Sequence, residues 1–203
     1  MLDPYARKLV NPLLNLAGRF LVAHSVSANA MTFAGLLTGI FASLCVGFGV
    51  PLLGLLFVMI NRIADGLDGA IARASDKTDF GGYLDICADF LFYCAIPAGF
   101  VFADPAKNGA VGAFLLVAIC FNGVSFLGFA ILAEKNHLID QDQDSKVMYY
   151  SNGILGGSET IIFFVLICLL PVHFTTLSFL FGALCFVTAI LRIAEARRTF
   201  TSL

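Results

Sequence analysis

The chain has 203 residues, of which 59% are hydrophobic and 13% charged. A soluble domain is closer to half apolar and a quarter charged, so this composition excludes an ordinary soluble globule and points to an all-α integral membrane protein. The formal net charge of −2 offers nothing to nucleic acid, and the length suits one domain spanning 1–203.

Residues 3–21 come first. Leu9, Leu13, Leu16 and Phe20 recur at helical spacing, with Arg7, Lys8, Asn11, Asn15 and Arg19 between them. That pattern predicts an amphipathic helix lying in the headgroup plane; the alternative is a short cytoplasmic helix packed on the bundle. The same polar residues interrupt any signal-peptide core. Six apolar stretches then predict six transmembrane helices, at about 31–49, 52–73, 83–103, 109–133, 154–171 and 175–195. Gly49-Val50-Pro51 and Asp104-Pro105 read as breaks. The most polar connection, about 134–152, carries Asp140, Asp142 and Asp144. Gly35-x-x-x-Gly39 and Gly153-x-x-x-Gly157 permit close helix approach. The six cysteines, Cys45, Cys87, Cys94, Cys120, Cys168 and Cys185, fall in apolar stretches and read as small hydrophobes.

An even number of spans puts Arg7, Lys8, Arg19, Arg73, Lys77, Lys135, Lys146, Arg192, Arg197 and Arg198 on one side and Lys107 alone on the other. By the positive-inside rule, both termini are cytoplasmic in a multi-pass protein.

The chemistry lies where the second and third spans meet. Asp65 and Asp68 are three apart on one helix, and Asp85 and Asp89 four apart on the next. Each pair shares a helical face. A connection over 74–82, with Gly81 and Gly82 allowing a tight return, makes the helices antiparallel and brings all four acids to one depth. Gly66, Gly69, Ala70 and Ala72 leave the second helix bare beside its acids. Four acids in a membrane need compensation. Arg62, Arg73 and Lys77 offer some, as in a salt-bridged helix end. Hard divalent cations offer more, since Mg2+ or Mn2+ suits all-oxygen ligands where zinc prefers nitrogen or sulfur.

These residues resemble the CDP-alcohol phosphotransferases. That signature, Asp-x2-Asp-Gly-x2-Ala-Arg, a spacer, then Gly-x3-Asp-x3-Asp, is met at Asp65, Asp68, Gly69, Ala72, Arg73, Gly81, Asp85 and Asp89. The resemblance implies six spans behind an N-terminal interfacial helix, and a homodimer. It implies transfer of a phosphatidyl or phosphoalcohol group from a CDP-linked donor, CDP-diacylglycerol above all, to an alcohol acceptor with release of CMP. Asp65, Asp68 and Asp85 would ligate two divalent ions. Asp89 would join the second metal site and take the acceptor's proton. Asp65, Asp68, Gly69, Ala72 and Gly81 would face the CDP moiety, and Arg73 would touch the diphosphate or buttress the acids. The family's Pro-Asn-x-x-Thr-like stretch is similar to Ala28-Asn29-Ala30-Met31-Thr32, which makes Asn29 and Thr32 nucleotide-pocket candidates. Asn29 reads equally as the N-cap of the first span.

For the acceptor, Glu159, Lys135, Lys146 and Arg192 are the candidates. Glu159 reads equally as a partner for Arg62 or Arg192, and the basic residues as topology charges. Glycerol 3-phosphate, inositol phosphate and serine all fit as acceptors. Two competing readings are a cation- or proton-coupled transporter and a catalytically inactive relative. The acids cluster near one interface and all four are intact, which favours the enzyme, with its active site on the cytoplasmic side.

Overall fold

The computed structural model describes residues 3–136 and 155–201, and every regular element among them is helical. Helix α1 covers Asp3–Ala23, α2 Ala28–Gly47, α3 Pro51–Ala74, α4 Asp79–Ala103 and α5 Pro105–Lys135. Beyond the undescribed segment come α6 (Gly157–Leu169), a 3-10 turn (Pro171–His173) and α7 (Phe174–Thr201).

The breaks have local causes. Ser27, not Asn29, caps α2, its side chain accepting from the Ala30 amide at 3.2 Å. Asn29 lies inside the first turn, so the expectation that it is the N-cap is corrected. Gly49 takes a left-handed φ of +80° that favours glycine, and Pro51 then opens α3. Asp104 accepts from the Lys107 amide at 3.0 Å ahead of Pro105, starting α5 four residues earlier than the apolar run predicts. The turn between α3 and α4 is only 75–78, shorter than the expected 74–82. Thr78 caps α4 by accepting from the Gly81 amide, so Gly81 and Gly82 lie within the helix and do not make the return.

Four of the expected spans are long and apolar enough to cross a membrane: α2, α4, α5 and the run Pro171–Thr201 that contains α7. At about 36 Å, α3 has the length. Its hydropathy is lowered by Arg62, Asp65 and Asp68, the residues that make it chemically interesting. Helix α6 has 13 residues, roughly 20 Å against a hydrocarbon core of about 30 Å, shorter than the predicted 154–171. Helix α7 runs past residue 195 through Arg197 and Arg198, because charged residues are good helix formers that a hydropathy window ignores.

Phe92 and Ile96 of α4 are buried near the middle of the core. Phe92 meets Phe164 of α6 edge-to-face at 5.5 Å, and Phe100 stacks on Phe174 of α7 at 4.6 Å. Helices α5 and α7 run parallel, with Phe114 against Phe179 and Phe186 and Arg192 against Asn122. Helix α1 crosses α3. A Cβ at Gly18 would stand 2.9 Å from Ala70, and one at Gly66 would stand 2.6 Å from Leu14. Leu13, Leu16 and Phe20 point away from this contact and are exposed. The predicted apolar stripe is therefore the face turned away from the bundle.

The approach of α2 to α4 is equally tight. Ser43 Oγ donates to the Ala95 carbonyl at 2.6 Å, and a Cβ at Gly99 would lie 2.6 Å from the Ser43 carbonyl oxygen. Backbone cannot swing aside as a side chain can. Gly99→Ala is expected to lower stability by about 1–3 kcal/mol. Gly109→Ala, built into open space, should be neutral or slightly stabilising. Thermal unfolding of both variants in detergent checks the contrast.

Candidate active site

The N-terminal end of α2, the C-terminal end of α3 and the N-terminal end of α4 meet at one end of the bundle. Close approach there depends on small residues. A Cβ at Gly35 would be 3.3 Å from Ala64 Cβ, and one at Gly39 would be 2.9 Å from the Phe92 ring. The Gly35-x-x-x-Gly39 pair thus serves packing within the chain; Gly153 lies outside the described residues.

Between these helix ends is an open cleft lined by Thr32, Asn61, Arg62 and all four acids, with Gly35, Leu36 and Ala88 completing its wall. One carboxylate oxygen each from Asp65, Asp85 and Asp89 lies within 4.8 Å of the others. Asp68 stands apart from that trio. It is 6% exposed, and its Oδ2 accepts from Thr32 Oγ1 at 2.8 Å. The same hydroxyl lies 3.1 Å from the Ala28 carbonyl oxygen. Thr32 therefore fixes one oxygen of Asp68.

Arg62 sits among the acids. Its Nη2 is 3.0 Å from Asp89 Oδ1 and 3.5 Å from Asp65 Oδ1. Its Nε donates to Asn61 Oδ1 at 2.8 Å, and Asn61, itself buried, donates from Nδ2 to the Gly35 carbonyl at 2.7 Å. The guanidinium lies over the Phe92 ring, 4.3 Å from its centroid. The Asp65 pair is local, since the two residues stand three apart on α3. The bond to Asp89 and the Asn61 support are additions that only the α3–α4 packing creates.

The family is decided by the match of residues 25–194 to the model described as CDP-alcohol phosphatidyltransferase. The chain belongs to that family. The inner membrane protein YnjF of Escherichia coli is 40% identical over 203 residues, covering 100% of this chain and 98% of that one. The archaetidylinositol phosphate synthase of Pyrococcus horikoshii is 32% identical over 100 residues, covering 49% of this chain and 53% of that one. The phosphatidylinositol phosphate synthase PgsA1 of Mycobacterium tuberculosis, solved with CDP-DAG bound, shares the fold with a TM-score of 0.68 at 17% identity, covering 92% of this chain and 94% of that one. The same enzyme is also solved with manganese and citrate, at a TM-score of 0.66, 18% identity and 90% and 88% coverage. The chain is an integral membrane protein of the CDP-alcohol phosphatidyltransferase family.

The other signature residues lie outside the cleft. Gly69, Ala72 and Arg73 follow Asp68 toward the end of α3. Gly81 is one turn before Asp85 on α4, and Asn29 nearly one turn before Thr32 on α2. All three steps lead toward the same end of the bundle, by about 2–8 Å. They form a rim beyond the acids. At that rim a Cβ on Gly81 would lie 3.1 Å from Asn29 Oδ1, and one on Gly69 would meet only Arg73 Nη1, at 3.2 Å. Arg73 is exposed and donates from Nη2 to Asn15 Oδ1 of α1 at 3.0 Å, so in this conformation it ties α3 to α1.

The acceptor candidates separate. Arg192 is buried and donates from Nη1 to the Asn122 carbonyl and Oδ1, both at 2.9 Å, and to Ser125 Oγ at 2.6 Å. Glu159 accepts from the Gly156 amide at 3.0 Å, holding the start of α6. Lys135 is exposed at the end of α5, and Lys146 lies outside the described residues. None of the first three lines the cleft.

Proposed function

We propose that this chain transfers a phosphatidyl group from CDP-diacylglycerol, or a closely related CDP-alcohol, to the hydroxyl of an alcohol acceptor, releasing CMP. The convergence of three carboxylate oxygens within 4.8 Å in a cleft at the helix ends carries this reading. Like charges gathered so closely favour a compensating cation, Arg62 supplies one positive charge against four acids, and a donor set of carboxylates alone fits a hard divalent ion. Asp65, Asp68, Asp85 and Asp89 would hold two Mg2+ or Mn2+ ions. Bound there, the ions would offset the charge that grows on the bridging oxygen as the diphosphate breaks.

The residues supply the rest. The acceptor oxygen bonds to the phosphorus that carries diacylglycerol, the bond from that phosphorus to the bridging oxygen breaks, and CMP leaves with the electron pair. Asp89 takes the hydroxyl proton on the oxygen that Arg62 does not engage. Thr32 keeps Asp68 aimed at the cleft. The Gly69, Ala72, Gly81, Asn29 and Arg73 rim would receive the CMP half, where Gly81 leaves its place beside Asn29 free of a side chain and Gly69 does the same beside Arg73. Glu159, Lys135, Lys146 and Arg192 remain the candidates for holding the acceptor.

In the same reading α3 and α6 complete six spans, α1 lies at the interface with Leu13, Leu16 and Phe20 toward lipid, and the site and both termini face the cytoplasm. A homodimer accompanies it, as the resemblance implies. The test is CMP release by purified protein from CDP-diacylglycerol with Mn2+ and a panel of alcohols. Release stimulated by one alcohol supports the assignment; ion flux into proteoliposomes without any CMP release would replace it with a transporter.

A further inference from the structure

Among the described residues, Arg62 is the one guanidinium lining the cleft. It reaches across from α3 to Asp89 on α4 while staying within 3.5 Å of Asp65 on its own helix. Its stem and plane are fixed on both sides: Asn61 takes its Nε, and Phe92 lies beneath it. Asn61 is in turn anchored to the Gly35 carbonyl of α2. The cation is thus tied to all three helices that form the cleft. A mobile surface counter-ion needs no such support; a fixed bridge between two like charges does.

We infer that Arg62 is a positioning residue and the site's resident cation, bridging Asp65 and Asp89 so that the acidic cluster is assembled before any divalent ion binds. This rests on the metal-site reading above. The bridge engages Oδ1 of each acid. It also sets the charge. Four carboxylates and one guanidinium carry a formal −3, which two divalent ions turn to +1, a site that attracts a diphosphate. Without Arg62 the loaded site is formally neutral, and the empty one is left with four uncompensated acids.

A bridging cation has an unusual signature on removal. Arg62→Gln takes a positive charge from beside the ligands, so Mn2+ is expected to bind at least about threefold more tightly. Thermal stability in EDTA should fall, and the stabilisation gained on adding Mn2+ should exceed that of wild type. Turnover should drop by about tenfold or more, because Asp89 is no longer held in place. Arg62→Lys restores the charge without the fork: Mn2+ affinity returns toward wild type while kcat stays low. The readouts are calorimetric Mn2+ titration, melting in EDTA and in Mn2+, and kcat with KM for CDP-diacylglycerol. Wild-type protein that binds no Mn2+ removes the metal-site reading and this inference together. Wild-type binding with weaker or unchanged binding in Arg62→Gln overturns the inference alone. If the Gln variant does not fold, an Arg62→Lys protein with wild-type kcat overturns it equally.

Discussion

Asp89→Asn is expected to lower CMP release by about 10²–10⁴-fold, the range that a positioned general base contributes. The substitution is nearly isosteric, and the amide keeps an oxygen that can accept from Arg62 Nη2, as Asp89 Oδ1 does at 3.0 Å. What it loses is the capacity to take the proton from the acceptor hydroxyl. Donor binding should be largely spared, because Asp65, Asp68 and Asp85 remain in the cleft. The expected pattern is a collapse of kcat with a CDP-diacylglycerol affinity within a few-fold of wild type. Raising Mn2+ should not restore the rate, which separates a lost base from a lost ligand. Turnover near wild type would remove Asp89 from this role.

The acids were legible in the sequence because their geometry is local. Asp65 and Asp68 share a face by spacing alone, as do Asp85 and Asp89, and the four-residue turn 75–78 then brings the pairs together. The turn itself was misplaced, since the capping hydroxyl of Thr78 counted for more than the permissiveness of Gly81 and Gly82. The N-cap alternative for Asn29 fails for the same reason: Ser27, two residues earlier, satisfies the open amide. Span boundaries suffered where charge and topology disagree. Helix α3 carries its charges in the interior because the site is there, and α7 continues as helix after its apolar run ends.

Contacts of long sequence separation were beyond any spacing rule. Thr32 on Asp68, Arg62 on Asp89, Asn15 on Arg73 and Arg192 on Asn122 each depend on how two helices cross. Thr32 was reached only through the likeness to a family stretch. Asn61 carried no signal: a buried amide that ties α2 to Arg62 looks in sequence like any polar residue within a span.

Removing divalent ions with EDTA is expected to take CMP release to background, and Mg2+ or Mn2+ to restore it. The argument is about ligand type and room. The trio Asp65, Asp85 and Asp89 offers only carboxylate oxygens, within 4.8 Å of one another, and no histidine or cysteine joins it among the described residues. Zn2+ gains least from such a set, and Ca2+ wants six to eight oxygens at longer range. Both should restore less activity than Mg2+ or Mn2+. Asp85→Asn tests the same point from the protein's side. It removes one charge from the acid of the trio that Arg62 does not bridge, so the Mn2+ concentration for half-maximal rate should rise severalfold or more. Activity indifferent to EDTA would mean that the converging acids serve another purpose, and Arg62, with nothing to hold apart for a metal, would then be an ordinary buried partner of Asp89.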